Sequence, residues 1–587
     1  MLFSKHFGKY YIKFLPFFIL GIAVLVGIDW IQLEVPRLVG GIIDELDQVS
    51  PVAENIKAAI FRIVYIALII TGGRFIWRYT IFGASRRIEY RLRNAMFEHA
   101  TKLSQSYYKE EKVGGLMTLF INDLEAVRMS YGPGILMLVD GLTLGGFALY
   151  RMFSLDWRMT IFAAIPMVLL TFAMVMIRKS MSRRFKERQK AFEELSDFTQ
   201  ENFSGITVIK AFVREVKEFF AFKEKNQNLY NKHIGFIKYM VGINIALSAA
   251  LNVVILVIVV AGSFSVINIA QTGFTGGQLT EYIAYFFTLM WPTMALSRFV
   301  QINSQAKASA ERISAFLDYE IDIKDHEAVV LVDELKGAIE AKGLSFKYPD
   351  GEDQVLNDIS FKINAGEMVG VLGRTGSGKS SLVDLLLRIY NLDKGMLFID
   401  GHDIMDLPLK TVRNTVGYVP QDNFLFSTTI NENIGFAYED VDEDLVKNAA
   451  KLSDIYDNVM DFKDGFKTIL GERGVTVSGG QKQRISIARA LAKNPEVLIL
   501  DDSVSAVDTK TEDAIISNLH HIRQGKTTIF IAHRISTVKK MDKIILLDHG
   551  KLSAIGSHDE LMKSSALYQD MVKRQRLEKL VSGGDVS

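Results

Sequence analysis

A glycine-rich segment in the second half of the chain carries the strongest chemical signal. Residues 373–380 read GRTGSGKS, which fits the spacing G-x-x-x-x-G-K-[ST]. The apolar stretch EMVGVLG precedes the segment and SSLVDLLLRIY follows it, so a strand should enter the loop and a helix should leave it. Glycines let backbone N–H groups approach phosphate oxygens, and a helix N-terminus adds positive partial charge. The sequence therefore predicts a loop that binds the phosphates of a nucleotide.

Two side chains of this loop suit the outer phosphates and a metal ion. The Lys379 ammonium can reach the β- and γ-phosphates, and the Ser380 hydroxyl can bind Mg²⁺. ATP and Mg²⁺ are thus the predicted cofactors. The predicted ATP-binding residues of the loop are Gly373, Arg374, Thr375, Gly376, Ser377, Gly378, Lys379, Ser380 and Ser381.

Two aspartates follow a second apolar strand. Residues 497–500, VLIL, deliver Asp501 and Asp502 to a strand end, which is where open α/β sheets bind ligands. Asp501 is the predicted Mg²⁺-linked carboxylate, and Asp502 stands where a water-activating base would be. A lone aspartate pair is more often a helix cap or part of a solvated loop. The phosphate loop is what favours the catalytic interpretation.

A third motif suggests a second phosphate cradle. Residues 478–481, SGGQ, precede the helical stretch ISIARALAKNP and predict another anion-binding helix N-terminus. With this motif the chain resembles the ATP-binding cassette family, whose signature it is. The resemblance implies that the signature closes over the phosphate loop of a second cassette. Its residues are Ser478, Gly479, Gly480 and Gln481.

The resemblance extends to further single positions. Tyr348 resembles the aromatic residue that stacks on adenine, and Gln421 resembles the glutamine that contacts Mg²⁺ and the attacking water. His533 resembles the switch histidine that contacts the γ-phosphate, and Asp508 the aspartate of the loop between the two sites. Residues 472–474, ERG, resemble a stretch that in exporters faces the membrane domain. Without the family, an exposed tyrosine or a histidine after a strand would be unremarkable.

One position departs from the family pattern. The family usually has Glu directly after the strand aspartate, whereas this chain has Asp502, which is one methylene shorter. A displacement of about 1 Å at a reacting water can cost roughly 100-fold in rate. The intact signature together with Asp502 resembles one half of heterodimeric bacterial exporters. A second, different chain with Glu at this position is therefore the predicted partner, and a homodimer with two slow sites is the alternative.

Long apolar runs precede residue 305 and are absent after it. Their length predicts membrane spans rather than buried helices of a large soluble protein. The expected fold is an all-α six-helix transmembrane domain fused to an α/β phosphate-loop ATP-binding cassette domain. The predicted domains are 1–320 for the membrane part, 321–337 for a linker and 338–587 for the cassette. The predicted spans are 16–38, 58–82, 135–153, 159–177, 239–270 and 282–300.

Loop charges predict the orientation. Lys and Arg concentrate near the start and in the two long loops, whereas the other three loops are poor in positive charge. Both termini and the long loops should therefore face the cytoplasm, in a multi-pass protein of the cell membrane. The resemblance implies that short helices of these loops contact the cassettes, and the candidates lie near 105–114 and 205–212. Without the resemblance, each would be an amphipathic loop helix.

The whole chain thus resembles an exporter half-transporter. ATP-driven export of hydrophobic or amphipathic small molecules is the predicted function, with membrane lipid and a second half-transporter as partners. Lipid or peptide export, and an ATP-gated channel or receptor, remain alternatives. Six spans argue against a soluble ATP clamp of the DNA-repair type, and the fused cassette makes an importer less expected. Candidate cavity residues are Asp140, Phe286, Phe287 and Trp291, although ordinary helix packing explains each equally well.

Composition excludes several other functions. The chain of 587 residues has 68 Lys and Arg against 67 Asp and Glu, so it lacks an overall basic footprint for nucleic acid. It contains no cysteine, which excludes disulfides, thiolate metal sites and cysteine nucleophiles.

Overall fold

The computed structural model describes residues 5–111, 113–268, 273–326, 329–332, 334–471, 474, 476–503 and 509–581. Side chains are not described at residues 113, 166–176, 178–179, 247, 509–510 and 578–581. The chain divides into two compact units. One unit consists of Met1–Phe97 with Gly114–Asp318, and the other of Glu98–Val113 with Tyr319–Ser587.

The first unit is built from long helices, because its apolar runs are long and the intervening segments keep helical periodicity. π-helical turns at Arg78–Phe82, Leu119–Asp123 and Ser130–Gly134 join helices without interrupting them. The helices up to residue 318 are α1 (Gly8–Gln32), α2 (Glu34–Leu46), α3 (Ala53–Trp77), α4 (Gly83–Ala100), α5 (Gln105–Glu110), α6 (Val113–Thr118), α7 (Leu124–Met129), α8 (Ile135–Leu155), α9 (Trp157–Ser204), α10 (Ile206–Ala211), α11 (Glu215–Ile267), α12 (Gly276–Thr288) and α13 (Met290–Asp318).

Five helical stretches in the described part of the chain are long and apolar enough to cross a membrane. They are Gly8–Leu46, Ala53–Ala100, Gly114–Leu155, Glu215–Ile267 and Gly276–Asp318. The predicted fourth span, 159–177, lies in α9, a continuous helix of 48 residues whose side chains are described only in part. Helices α9 and α11 continue well beyond their apolar runs, as their charged amphipathic sequences predict.

Two sheets form the core of the second unit. The smaller sheet is antiparallel with the strand order β2-β1-β4-β5, and the larger has the order β10-β9-β3-β8-β7-β6. In the larger sheet β9, β3, β8, β7 and β6 are parallel, and only β10 is antiparallel. The strands are β1 (Ile339–Phe346), β2 (Leu356–Ile363), β3 (Met368–Gly373), β4 (Leu397–Ile399), β5 (His402–Asp403), β6 (Val416–Val419), β7 (Val497–Asp501), β8 (Thr527–Ala532), β9 (Lys543–Asp548) and β10 (Lys551–Gly556).

Helices cover the parallel sheet, so its inner strands are apolar on both faces. All six residues of β3 and of β8 are buried. The helices of this unit after the sheet begins are α14 (Lys379–Leu386), α15 (Leu409–Thr415), α16 (Ile430–Ile434), α17 (Glu443–Leu452), α18 (Tyr456–Met460), α19 (Gly479–Ala492), α20 (Thr509–Ile522), α21 (Ile535–Val538), α22 (His558–Ser564) and α23 (Ala566–Val581).

The order of the strands determines which residues lie together at one edge of the larger sheet. Strands β3, β8, β7 and β6 are neighbours although they are far apart in the sequence. Their carboxyl ends therefore lie side by side, at the edge where parallel sheets bind ligands.

Candidate active site

The phosphate loop runs from the end of β3 into the first turn of α14. Gly376 and Gly378 have φ values of 80° and 95°, which side chains with a Cβ rarely adopt. A Cβ on Gly378 would lie 2.4 Å from Leu356 Cδ2, so packing also requires glycine there. Positive φ values at these glycines are consistent with a backbone nest that binds an anion at the start of α14.

The loop fits an anion. A Cβ at Gly376 would meet no heavy atom within 4 Å, so the loop is open at this position. The Ser377 side chain is 2 % exposed, and its Oγ has no hydrogen-bond partner among the described residues. A buried hydroxyl of this kind costs free energy unless a ligand or water satisfies it. A phosphate group at the loop would do so.

The Lys379 side chain is fixed by hydrogen bonds at the phosphate loop. Its ammonium donates hydrogen bonds to the carbonyl oxygens of Gly373, at 2.8 Å, and Arg374, at 3.0 Å. Burial lowers the pKa of Lys379, while the negative charges of Asp501 and Asp502 oppose that change. The lysine is 5 % exposed, so its charge acts with little screening from water.

Three further predicted residues follow the neighbouring strands. Asp501 ends β7 and pairs in register with Ile531 of β8, and His533 lies two residues beyond Ile531. Gln421 follows β6 and has an exposed side chain. The structure therefore brings Lys379, Asp501, Asp502 and His533 to one edge, with Gln421 at the end of the next strand.

The charges at this edge influence one another. Burial raises the pKa of Asp501, and the negative charge of Asp502 raises it further. A hydrogen bond from Tyr418 and the positive charge of Lys379 act in the opposite direction and lower this pKa. Burial lowers the pKa of His533, and Lys379 lowers it further against the influence of Asp502. The imidazole is therefore neutral at pH 7 and near both the ammonium and the carboxylates.

Asp502 has an unusual backbone conformation, and hydrogen bonds to neighbouring segments stabilise it. Its φ is 45°, a left-handed value that aspartate tolerates better than most residues. Its N–H donates to the Ile531 carbonyl at 2.8 Å, and its own carbonyl accepts from Gln483 Nε2 at 3.3 Å. The main chain is fixed on both sides, so the length of this side chain decides how far its carboxylate reaches.

Tyr348 lies against the helix that follows the phosphate loop. Its hydroxyl shares a hydrogen bond of 2.9 Å with Ser381 Oγ and donates to Asp384 at 3.4 Å. Its ring packs edge-on against Phe346 and Tyr390, each with a centroid separation of 5.0 Å. The predicted base-stacking residue is thus joined to the start of α14.

The signature residues form the exposed N-terminus of α19. Ser478 Oγ accepts from the Gln481 N–H at 3.3 Å, and the Gln481 side chain accepts from the Ser478 N–H at 2.9 Å. Ser478 and Gly479 are exposed, and Gly480 is half-buried. This reciprocal cap orders the helix start and leaves its end on the surface of the chain.

The donors for a metal ion suit Mg²⁺ bound together with phosphate. Asp501 and Gln421 offer oxygen atoms, and Ser380 is exposed at the start of α14. In the part of the chain that the structure describes, no group of three or more His, Cys, Asp or Glu residues could hold a metal alone. Mg²⁺ commonly takes one or two carboxylates with substrate phosphates and water, so the donor set fits the ion.

Three predicted positions lie outside the described residues. They are Glu472 and Arg473 of the exporter-like stretch and Asp508 of the inter-site loop.

The sequence analysis missed Tyr418 and Lys109. Tyr418 lies on β6, and its hydroxyl donates to Asp501 Oδ2 at 3.4 Å. Lys109 lies on α5, and its ammonium donates to the Tyr390 hydroxyl at 2.8 Å. Each contact joins segments more than 80 residues apart, and the sequence contained no signal that would have paired them.

The candidate cavity residues separate into two groups. Asp140 and Trp291 line a cavity of about 450 Å³ in the helical unit, together with Asp29, Arg74 and Arg78. Phe286 instead is 1 % exposed in the apolar core with Tyr282 and Tyr285, because its side of α12 faces other helices. Phe287 is 49 % exposed and does not line this cavity.

Comparison with known proteins decides the family. Residues 18–293 match the family model "ABC transporter transmembrane region", and residues 356–505 match the model "ABC transporter". The chain is 34 % identical to YheI of Bacillus subtilis, a probable multidrug resistance ABC transporter ATP-binding/permease protein, over 99 % of both chains. The chain belongs to the ABC transporter family. The expected family is confirmed.

Two further matches extend this result. MdlA of Escherichia coli, a multidrug resistance-like ATP-binding protein, is 33 % identical over 95 % of this chain and 94 % of its own length. The solved structure of a bacterial Atm1-family ABC exporter with ATP bound superposes with a TM-score of 0.74. That comparison covers 97 % of this chain and 98 % of the exporter at 24 % identity.

The predicted fold class is also confirmed, as a helical transmembrane domain fused to an α/β ATP-binding cassette. This ABC transporter is a multi-pass membrane protein that couples ATP hydrolysis to export. Because it carries one membrane domain and one cassette, it is a half-transporter, and half-transporters act as dimers.

Proposed function

We propose that this half-transporter exports hydrophobic or amphipathic small molecules, often cationic, from the cytoplasm across the cell membrane. The observation that carries the proposal is a largely apolar cavity among the membrane helices whose wall also contains charged side chains, in a chain with an ABC transporter cassette. The multidrug names of YheI and MdlA support the same substrate class.

The cavity wall has two carboxylates with different partners. The Thr143 hydroxyl donates a hydrogen bond to Asp29, which is 2 % exposed, and the Trp291 indole N–H donates to Asp140. Charges within a membrane domain are costly and commonly mark functional sites. The exposed ring of Trp291 beside Asp140 offers a surface for an organic cation.

The cations of the same wall have other contacts. Arg74 donates to Gln32 Oε1 at 3.2 Å, and the Arg78 guanidinium lies 5.4 Å from the centroid of the Trp77 ring. Arg74 lies on α3 and Arg78 in the π-helical turn that follows it, whereas Asp140 and Trp291 lie on α8 and α13.

Replacing Asp140 with Asn should weaken the response to cationic substrates. We expect the concentration of a cationic dye that half-maximally stimulates ATP hydrolysis to rise about 10- to 100-fold, since the negative charge that attracts the cation is lost. The response to an uncharged apolar substrate should stay unchanged. Asp47→Asn, an exposed acidic position between α2 and α3, is the control. Equal weakening for charged and uncharged substrates would contradict a cation site.

We further propose that α5 transmits the state of the cassette to the spans before and after it in the chain. The Lys109 ammonium lies 4.9 Å from the centroid of the Tyr348 ring and 5.2 Å from that of Tyr390. Tyr107 of the same helix packs edge-on against Tyr319 at 4.7 Å. These contacts join α5 to the residue that we assign to adenine. A corresponding role is proposed for α10, within the segment 205–212.

Replacing Lys109 with Met should uncouple hydrolysis from substrate. We expect the ratio of substrate-stimulated to basal ATPase to fall about threefold to tenfold, because a cation–π contact and a hydrogen bond are lost. Lys109→Arg keeps the cation and should restore most of the ratio. Lys102→Met, which removes an exposed ion pair with Glu98, is the control. A wild-type ratio in Lys109→Met would show that α5 does not transmit the signal through this side chain.

We propose the remaining assignments on the same basis. Tyr348 would stack on adenine, and Ser380, Gln421 and Asp501 would hold Mg²⁺, which supplies charge neutralisation at the phosphates. The signature would face the ATP of a partner chain, with Asp508 between the two sites. The partner would be a different half-transporter that has Glu where this chain has Asp502. The membrane domain would span residues 1–320, the linker 321–337 and the cassette 338–587, with both termini in the cytoplasm.

The test is substrate-stimulated ATPase of the purified chain, alone and with a co-expressed partner. We expect weak hydrolysis alone and strong, substrate-stimulated hydrolysis with the partner. Robust hydrolysis by the chain alone would instead support the homodimer.

A further inference from the structure

The last described helix, α23, holds the backbone of the segment that carries the switch histidine. Gln575 Oε1 accepts a hydrogen bond from the Ile535 N–H at 2.8 Å. Its Nε2 donates to the His533 carbonyl oxygen at 2.5 Å. One side-chain amide therefore binds two backbone groups on either side of Arg534, which fixes both the position and the orientation of this turn.

The helix is itself well anchored. Tyr568, near its start, is fully buried, and its hydroxyl hydrogen-bonds to His558 Nδ1 at 2.7 Å. Asp570 lies 2.9 Å from the Arg574 guanidinium and 3.9 Å from that of Arg374 in the phosphate loop. Gln575 thus lies on a helix whose start is fixed by the buried Tyr568 and which pairs with the phosphate loop through Asp570.

The histidine turn has a second support that does not depend on Gln575. Glu512 of α20 is buried, accepts a hydrogen bond from the Thr537 hydroxyl and lies 3.9 Å from the Arg534 guanidinium. Removal of the Gln575 contacts should therefore leave the turn folded. It would free the His533 backbone while the rest of the segment stays attached to α20.

We propose that Gln575 is a positioning residue that aims the His533 imidazole at the γ-phosphate of ATP bound at Lys379. The inference rests on the proposed nucleotide site. A shift of about 1 Å in a group of this kind is enough to lower its contribution strongly. ADP lacks the γ-phosphate, so it should not sense the position of the imidazole. Gln575 should therefore affect the preference for ATP over ADP.

The test is the ratio of ATP affinity to ADP affinity. Both affinities are measured by displacement of a fluorescent nucleotide from the full dimer in detergent or nanodiscs. The measurement is made at low temperature so that ATP is not hydrolysed. We expect Gln575→Leu to lower this ratio about tenfold, the effect of losing one hydrogen bond from His533 to the charged γ-phosphate, with ADP affinity unchanged. Gln575→Glu keeps the acceptor for Ile535 and loses the donor for His533, so its effect should be intermediate. Gln569→Leu is the matched control, because Gln569 lies on the same helix and donates to the Met562 carbonyl instead.

A double-mutant cycle separates positioning from general damage. In a His533→Ala background, Gln575→Leu should cause no further loss of the ATP-to-ADP ratio, because the group that it positions is absent. Additive losses, equal weakening of ATP and ADP, or an unchanged ratio in Gln575→Leu would each overturn the proposal. If unmodified protein bound no ATP, the proposed nucleotide site itself would fail, which is a different outcome.

Discussion

Replacement of Lys379 by Ala should lower ATP hydrolysis at this chain's site about 100- to 1,000-fold, the usual effect of losing one preorganised donor at a developing charge. The ammonium already lies at the mouth of the phosphate loop, bonded to the carbonyls of Gly373 and Arg374. The measurement is phosphate release by the partnered complex in which only this chain's site can turn over.

Lys493 provides a control for the loss of a half-buried lysine. It donates to the Val416 carbonyl at 2.9 Å, at the opposite end of the parallel sheet from the phosphate loop. Burial lowers the pKa of Lys493 as it does that of Lys379. Lys493→Ala should affect thermal stability more than hydrolysis. Comparable loss of hydrolysis in both variants would mean that Lys379 acts through folding rather than through phosphate.

Replacement of Asp502 by Glu should raise hydrolysis at this site about 10- to 100-fold. The longer side chain extends the carboxylate by one methylene, and a water displaced by about 1 Å from its attacking position can cost that much in rate. The backbone of residue 502 is held by Ile531 and Gln483, so the change acts mainly on reach. The measurement is the single-site ATPase rate of Asp502→Glu against the unmodified chain.

Asp502→Asn completes this comparison. It keeps the size of the native side chain and removes its charge, so it should lower the residual rate only slightly if Asp502 is a poor base. A large loss in Asp502→Asn with no gain in Asp502→Glu would show that the native aspartate is already an effective base. The proposal of a slow site and of a partner with Glu would then be wrong.

Local sequence was sufficient to predict the phosphate loop, because its glycines, lysine and flanking strand and helix are contiguous. The predicted strand ends at Asp501 and before His533 also follow from short apolar stretches. What the sequence could not predict was the strand order. Strand β8 lies between β3 and β7, although it follows both in the chain. This order places His533 between the phosphate loop and Asp501.

The sequence also could not predict contacts between segments that lie far apart in the chain. Gln575 reaches the His533 turn from a helix with ordinary charged composition, and Lys109 reaches Tyr348 from a short helix that lies between two predicted spans in the chain. The prediction that Phe286 and Phe287 line a cavity shows a different limit of sequence reasoning. Phe286 and Phe287 are adjacent and chemically identical, yet helix packing buries only Phe286. No spacing rule separates a core position from a cavity position when the packing partners are unknown.

Transport of a cationic dye into inside-out vesicles tests most directly that hydrolysis in the cassette drives movement through the membrane helices. The vesicles should contain this chain with its co-expressed partner, and the dye should start at equal concentration on both sides. We expect accumulation inside only with Mg²⁺ and ATP, and none with Lys379→Ala in this chain and the matching lysine changed in the partner. Dye that equilibrates without ATP and never accumulates would identify a passive channel and contradict an ATP-driven exporter.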